Sequence, residues 1–468
     1  MRVRFYFLSA VSLLASLAAA QQFEAFGLQG KTVTAMTYYG GSLYAATENG
    51  GVYRRYLGEL DSGWVHLGIP AKNLTAIFAF HTLCPLKCWK GVLAGADLQL
   101  TQTNTPLIYF YQQRPDTCLQ KGIWAAADSG IDRTSVARIN ALGGIDVCHP
   151  IAPTYVTAFA ATANAIWRSE DRGKNWKRVW QAMAAEIFAL AARPRSLLTS
   201  DDEIWAGGYV RNAGALTSVI LRSTDSGAHW EDRSPPASAI CSALALHPVD
   251  TNIVLATFAN TIIKSHDAGK TWAFTNFPEL AVIFRTIAIN PQQPKHILAG
   301  GSGGDLTVFT LYESVDAGEH WQRVASPNEL NYLTSSISSL VFDQSDSRYA
   351  YIATRGAGVY RYKRLEVSVD EAKGKPENFQ LVANFPNPFH IRENVALAFR
   401  LNVPSTGEVT FRLFNIVGQE IGNWKITVVD GEQNLSLPFD QTQLAGGIYF
   451  LQAEWRGHRL TQKLTVIR

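Results

Sequence analysis

The chain has 468 residues, 17% of them charged, with a formal net charge of +3. That length allows two or more domains, and the absence of a long basic stripe argues against nucleic acid as a partner. Aromatic residues make up 11%, with 12 Trp, and Val, Ile, Thr and Tyr are plentiful without a long helical period, so the chain reads as all-β.

In chain order, Arg2 and Arg4 precede an apolar run from Phe5 to Leu17, followed by Ala18, Ala19 and Ala20. A positive start, an apolar stretch and small residues predict a signal peptide over 1–20, with the mature protein beginning at Gln21. The run is shorter than the ~20 residues a membrane span needs.

Short apolar stretches bounded by turn residues then follow in groups of four. "VTAMTYY", "SLYAAT", "GVYRRY" and "WVHLG" form one group, and "LTAIFAF", "GVLAGA", "LIYFYQQ" and "IWAAA" the next. Four further groups run from "SVARINAL" to "WQRVA". Repetition at 40 to 60 residues is the mark of propeller blades. Six groups are complete, and a seventh ("ISSLVFDQ", "YAYIATR", "GVYRYKR") lacks its outer strand. "QFEAFG" (22–27) supplies it, because an N-terminal strand that completes the last blade closes the ring and removes its edge. The expectation is a seven-bladed β-propeller over 21–364.

Four groups carry Ser-x-Asp-x-Gly-x-x-Trp: Ser169, Asp171, Gly173 and Trp176; Ser223, Asp225, Gly227 and Trp230; Ser265, Asp267, Gly269 and Trp272; Ser314, Asp316, Gly318 and Trp321. Asp and Ser side chains accept backbone N–H bonds in turns. Gly takes a positive φ, and Trp packs between strands. The four Asp fall on four blades and do not converge on one substrate, so the box reads as a building device.

These boxes resemble the Asp-box, or BNR, repeats of sialidase-like and sortilin-type propellers. Together with His247-Pro248 and Asn290-Pro291, they are similar to photosystem-II-assembly-factor-like and xyloglucanase-like propellers over about 22–364. A sialidase resemblance implies an Arg triad, an Arg-Ile-Pro segment and a Tyr–Glu pair, and no Arg-Ile-Pro is present. A xyloglucanase resemblance implies two propellers facing across a cleft, and this chain has room for one.

After a charged linker at 365–378, with "VSVDEAKGKPEN" at 367–378, come about seven short strands over 379–468, which predict a small Ig-like β-sandwich. "NFPNPF" (384–389), "LFNIVGQEI" (413–421), "LAGGIYFLQ" (444–452) and "QKLTVIR" (462–468) resemble, in order, the motifs of the type IX secretion C-terminal sorting domain. That resemblance implies a Gram-negative bacterium of the Bacteroidota, the type IX machinery as a partner, two-step export, cleavage of the tail, and release or attachment at the cell surface.

Export favours disulfides. Cys84, Cys88, Cys118 and Cys148 fall on connections at one face of the expected ring and allow two bridges in three pairings. Cys241 sits in an inner strand and reads as a buried free thiol. "CPLKC" lacks the partners of a metal site. No Ser/His/Asp order, phosphate loop or His-Glu-x-x-His motif is visible, so no catalytic residue, cofactor or metal is assigned.

A ligand site is expected on the face opposite the boxes. The connections there offer Glu48, Asp97, Arg211, Asn212, Asp305 and Arg355. The functional expectation is an exported, non-catalytic propeller that binds an extracellular protein or glycan. The alternative is a glycoside hydrolase of sialidase-like or xyloglucanase-like type.

Overall fold

The computed structural model describes residues 22–364 and 380–467, apart from 59–60, 62, 70–72, 82–89, 99–104, 114–121, 148–154, 194–201, 213, 238, 259, 276–281, 304–308, 325–334, 386–388, 391–397, 404–405, 416–417, 430, 437–444 and 457. The expected signal peptide, the whole expected linker, Cys84, Cys88, Cys118, Cys148 and Asp305 lie outside the described residues. All the described elements are strands, and they fall in two compact units, 1–365 and 366–468. No helix among the described residues is long and apolar enough to cross a membrane.

In the first unit each blade is an antiparallel set of four strands. Blade 1 runs Val33–Tyr39, Ser42–Thr47, Gly51–Tyr56 and Val65–His66; blade 2 starts at Leu74–His81, blade 5 at Cys241–Leu246, blade 6 at Val282–Ile289 and blade 7 at Ile337–Phe342. The first strand of each blade packs against the first strands of both neighbours, and the series returns from blade 7 to blade 1. The ring is therefore closed, with these first strands around its central channel.

Blades 3 and 4 differ from the expectation in one respect. The seventeen-residue strand Lys177–Arg193 is the outer strand of blade 3 and then the inner strand of blade 4, which fuses the two into one seven-stranded sheet. The inner strand of blade 3 also begins later than "SVARINAL" suggests, at Ala141. Val136 and Ile139 are buried all the same, because they fill the core between blades 2 and 3 beside Leu93 and Leu107. Burial gave them the alternation of a strand without strand pairing.

Blade 7 is completed by the N-terminal strand Phe23–Gly27, antiparallel to Val359–Lys363, with Phe23 opposite Tyr362 and Glu24 opposite Arg361. The Phe23 ring sits edge-on to Phe309 of blade 6 with centroids 5.7 Å apart. The Phe26 carbonyl accepts the Trp64 indole N–H of blade 1 at 2.7 Å. The strand thus ties blade 7 to both its neighbours.

The second unit is a sandwich of a three-stranded sheet and a five-stranded sheet. Leu401 and Val403 of the first share a core with Val409, Phe411, Leu413, Leu451 and Trp455 of the second. Its described residues form eight strands where about seven were expected. The additional one, Phe389–His390, is two residues long and pairs in parallel with Val466 and Ile467, too short to show as an alternation.

Candidate functional site

The box turns lie at one end of blades 3 to 6 and share one geometry. The Ser hydroxyl donates to the Asp carboxylate at 2.8 Å in all four boxes. The same Ser oxygen accepts the Gly N–H at 2.7–2.8 Å. The Asp accepts the N–H of the residue before the Trp at 2.8–2.9 Å. It also accepts that residue's side chain: Asn175 at 2.7 Å, His229 at 2.6 Å, Thr271 at 2.6 Å and His320 at 2.7 Å.

The box glycines have φ between 79° and 90°. A Cβ on them would lie 2.5–2.8 Å from Leu93, Phe159, Trp205 or Leu255, each in the second strand of the preceding blade. Glycine is required there both by backbone conformation and by close approach. Trp176 donates to Ala127 O and Trp272 to Arg233 O, both at 2.8 Å and both in the preceding blade. Trp230 and Trp321 donate within their own boxes, to Gly227 O and Gly318 O at 3.1 Å.

These bonds act on the carboxylates. The Thr271 hydroxyl and N–H hold Asp267 at about 2. Burial alone would push Asp225 up, but the His229 N–H and imidazole and the Ser223 hydroxyl outweigh it and bring it to about 2. The unfolded value is near 3.9. A depressed folded pKa contributes stability above the unfolded value and loses it as pH falls toward the folded one. The melting temperature should therefore drop between about pH 4 and pH 2. In calorimetry the drop should be smaller in Asp225→Asn/Asp267→Asn; equal drops in the variant and wild type would show that these carboxylates are not linked to folding.

At the opposite face the expected ligand residues are only partly brought together. The Glu48 N–H bonds to Thr32 O at 2.9 Å, and Arg355 forms a β-bridge with the same Thr32, so the two meet where blades 1 and 7 adjoin. Asp97 lies elsewhere: it bridges Arg138 through the backbone and pairs with its guanidinium at 3.7 Å. Arg211 and Asn212 are not on a loop. They extend the strand Glu203–Asn212, paired with Leu216 and Ala215 in a long hairpin. The Arg211 guanidinium lies 6.0 Å from the centre of the Tyr209 ring.

The channel carries a feature that the sequence reading missed. Six of the seven inner strands have an irregularity at one equivalent position, and the residues there are Thr34, Thr75, Phe188, Ser242, Arg285 and Ser338. Where that residue is Ser or Thr, its hydroxyl donates to the next blade's backbone, always to the carbonyl just before that blade's equivalent residue. Thr34 bonds Leu74 O at 2.7 Å, Thr75 bonds Ile139 O at 2.5 Å, Ser242 bonds Phe284 O at 2.9 Å and Ser338 bonds Val33 O at 2.5 Å. The bond to Ile139 marks Asn140 as the equivalent residue of blade 3. The sequence signal is a sevenfold apolar–x–small–apolar pattern, from Val33-Thr34-Ala35-Met36 to Ile337-Ser338-Ser339-Leu340.

Asn140, Phe188 and Arg285 make no such bond, and other contacts join their blades. The continuous strand Lys177–Arg193 joins blades 3 and 4. Arg193 of blade 4 donates to His247 O and Thr251 O of blade 5 at 2.7 and 2.8 Å. Asn290 of blade 6 donates to Ser347 O of blade 7 at 2.8 Å. The three side chains are free for other work. Both amide atoms of Asn140 are buried without a hydrogen-bond partner among the described residues. Phe188 lies against Tyr209, with ring centres 5.9 Å apart, and Tyr209 donates to Glu186 at 2.8 Å. Burial and the nearby charge of Arg355 hold Arg285 below the usual guanidinium value. No acidic side chain among the described residues pairs with Arg285 or Arg355.

The box-side end of the channel holds a second unforeseen cluster. Asp146 accepts the His81 N–H at 2.8 Å and the Tyr39 hydroxyl, and lies 3.3 Å from His81 Nδ1. It joins the inner strands of blades 1, 2 and 3. Burial and the Asp146 carboxylate push the Tyr39 phenol well up. Cys241 is free and buried, with its thiol pushed up by burial. Among the described residues, no three His, Cys, Asp or Glu side chains group as metal ligands.

Residues 383–467 match the secretion system C-terminal sorting domain, and residues 166–179 match the BNR-Asp box repeat. No curated protein sequence matches the chain. Among solved structures it is similar to the GH74 xyloglucanase of Xanthomonas campestris, at 18% identity over 81% of this chain and 59% of that one, with a TM-score of 0.54. It is also similar to the GH74 enzyme of Niastella koreensis, at 15% identity over 96% of this chain and 75% of that one, with a TM-score of 0.52. YCF48 of Cyanidioschyzon merolae matches at 13% identity over 73% of this chain and 98% of that one, with a TM-score of 0.44. The chain thus spans about 59% of the length of the xyloglucanase. The fold and the two family matches define a BNR-type β-propeller with a sorting domain. The sorting domain makes it an exported protein, sent by type IX secretion to the cell surface or medium of a Gram-negative bacterium.

Proposed function

We propose that the propeller is a non-catalytic binding module for an extracellular ligand, delivered outside the cell by its sorting domain. The four box carboxylates belong to this reading as parts of the scaffold, since each is taken up by its own turn. The observation that carries the proposal is the state of the charges on the other face. Asp97 is paired with Arg138 and Glu186 accepts the Tyr209 hydroxyl, which among the described residues the sequence singled out leaves Glu48 as the unpaired carboxylate, exposed beside Arg355. A glycosidase of the usual kind needs two carboxyl groups, roughly 5–9.5 Å apart, free to move protons or attack. Arg285 and Arg355, by contrast, pair with no acidic side chain among the described residues and suit recognition.

The alternative, a glycoside hydrolase, rests on likeness of fold, and fold does not fix chemistry. The purified exported protein should show no turnover of sialosides or β-glucan oligosaccharides. Turnover that disappears in Asp97→Asn or Asp305→Asn would replace the binding reading with the hydrolytic one.

A further inference from the structure

Every inner strand has the same position to fill, and four of the seven fill it with a hydroxyl that latches onto the next blade. The other three hold an amide, an aromatic ring and a guanidinium, and their blade junctions are secured by other means. A residue excused from the latch is not explained by ring assembly. Asn140 is the sharpest case. A carboxamide whose buried donors and acceptor are unmatched is costly, and a ligand that supplies hydroxyls would satisfy it.

Arg285 stands at the same level of the channel, accessible to solvent, with Arg355 as a second cation nearby. Neighbouring like charges are relieved by an anion, and a guanidinium matches a carboxylate through paired N–H donors. Phe188 offers a ring already oriented by Tyr209, which Glu186 holds in turn. A flat apolar face with a few converging polar groups is the usual make-up of a small-molecule site.

We propose that Arg285, Asn140 and Phe188 form a binding position in the channel for a uronate-bearing oligosaccharide, with the sugar carboxylate on Arg285, hydroxyls on Asn140 and the ring face on Phe188. A sugar acid uses all three groups. An acidic peptide would use the arginines and leave the amide and the aromatic ring without a role. The proposal rests on the binding-module reading and adds the ligand's chemistry.

The test is calorimetric titration of the purified exported protein with galacturonate and glucuronate oligosaccharides, their methyl esters, and a glutamate-rich peptide. The free acids of at least one series should bind at least about tenfold more tightly than the esters, a step of one charge-assisted contact. Arg285→Gln should remove that difference without changing the melting temperature, since Arg285 holds no latch. Asn140→Ala and Phe188→Leu should each weaken the acid's binding severalfold. Equal affinity for acid and ester, unchanged binding in Arg285→Gln, or no binding of either uronate series would overturn the uronate site while leaving the binding-module reading in place. Peptide binding that matches the sugar acid and ignores Phe188→Leu would reassign the site to acidic peptides. Cleavage of the oligosaccharides would instead count against the binding-module reading.

Discussion

Trp176→Ala should lower the unfolding free energy by about 3–5 kcal/mol, the range for truncating a large aromatic residue in a core. Trp176 is 3% exposed and packs in the core between blades 2 and 3. Its indole N–H donates to Ala127 O at 2.8 Å and to Gly173 O at 2.9 Å. Truncation removes the ring and also leaves a carbonyl of the preceding blade without its donor, at a cost of ~1–3 kcal/mol if the group stays buried. Trp272 makes one such bond and is only partly buried, so its truncation should cost less. Trp176→Phe keeps most of the apolar ring and loses the donor, so it should fall between wild type and Trp176→Ala. Urea melts of the three proteins are the check. A Trp176→Ala curve that overlays wild type would show that the box does not hold the ring together.

Much of this arrangement is legible in the sequence because its causes are local. The Ser, Asp and Gly of a box bond within five residues of one another, so their spacing is visible in the chain. The seventh blade was legible because three strands without a fourth leave an edge to cover, and "QFEAFG" has the length to cover it.

The inner latches were not legible, although their pattern repeats seven times. Each hydroxyl meets a carbonyl of another blade, 40 residues away for Thr34 and 305 for Ser338, and the position holds Asn, Phe or Arg where another contact joins the blades. Its variation therefore hid the repeat. The Tyr39–Asp146 contact spans 107 residues and was hidden for the same reason. Arg211 and Asn212 were misplaced because Asn and Gly near a turn read as loop, while cross-strand pairing carries the hairpin out to Asn212.

Deleting residues 22–29 should have the largest effect of all, because it opens the ring. Phe23 and Phe26 are 7% and 3% exposed, and removing a buried Phe costs about 3–5 kcal/mol. Two such losses are comparable with the ~5–15 kcal/mol that holds a domain folded. The deletion also strips Val359–Lys363 of its partner, leaving the unpaired edge that promotes aggregation. It takes away the carbonyl that receives the Trp64 and Arg55 side chains of blade 1 at 2.7 and 2.6 Å. The truncated protein should be poorly soluble, and any soluble fraction should melt well below the full chain. Glu24→Ala is the control: Glu24 pairs with Arg361 at the surface, and exposed pairs contribute at most about 1 kcal/mol. The strand leading out to the sorting domain, Val359–Lys363, lies inside blade 7 because Phe23–Gly27 covers it. Cleavage of the tail beyond residue 364 should therefore leave the melting temperature of the propeller unchanged. A deleted protein that stays soluble and melts with the full chain would mean that blade 7 does not depend on its N-terminal strand.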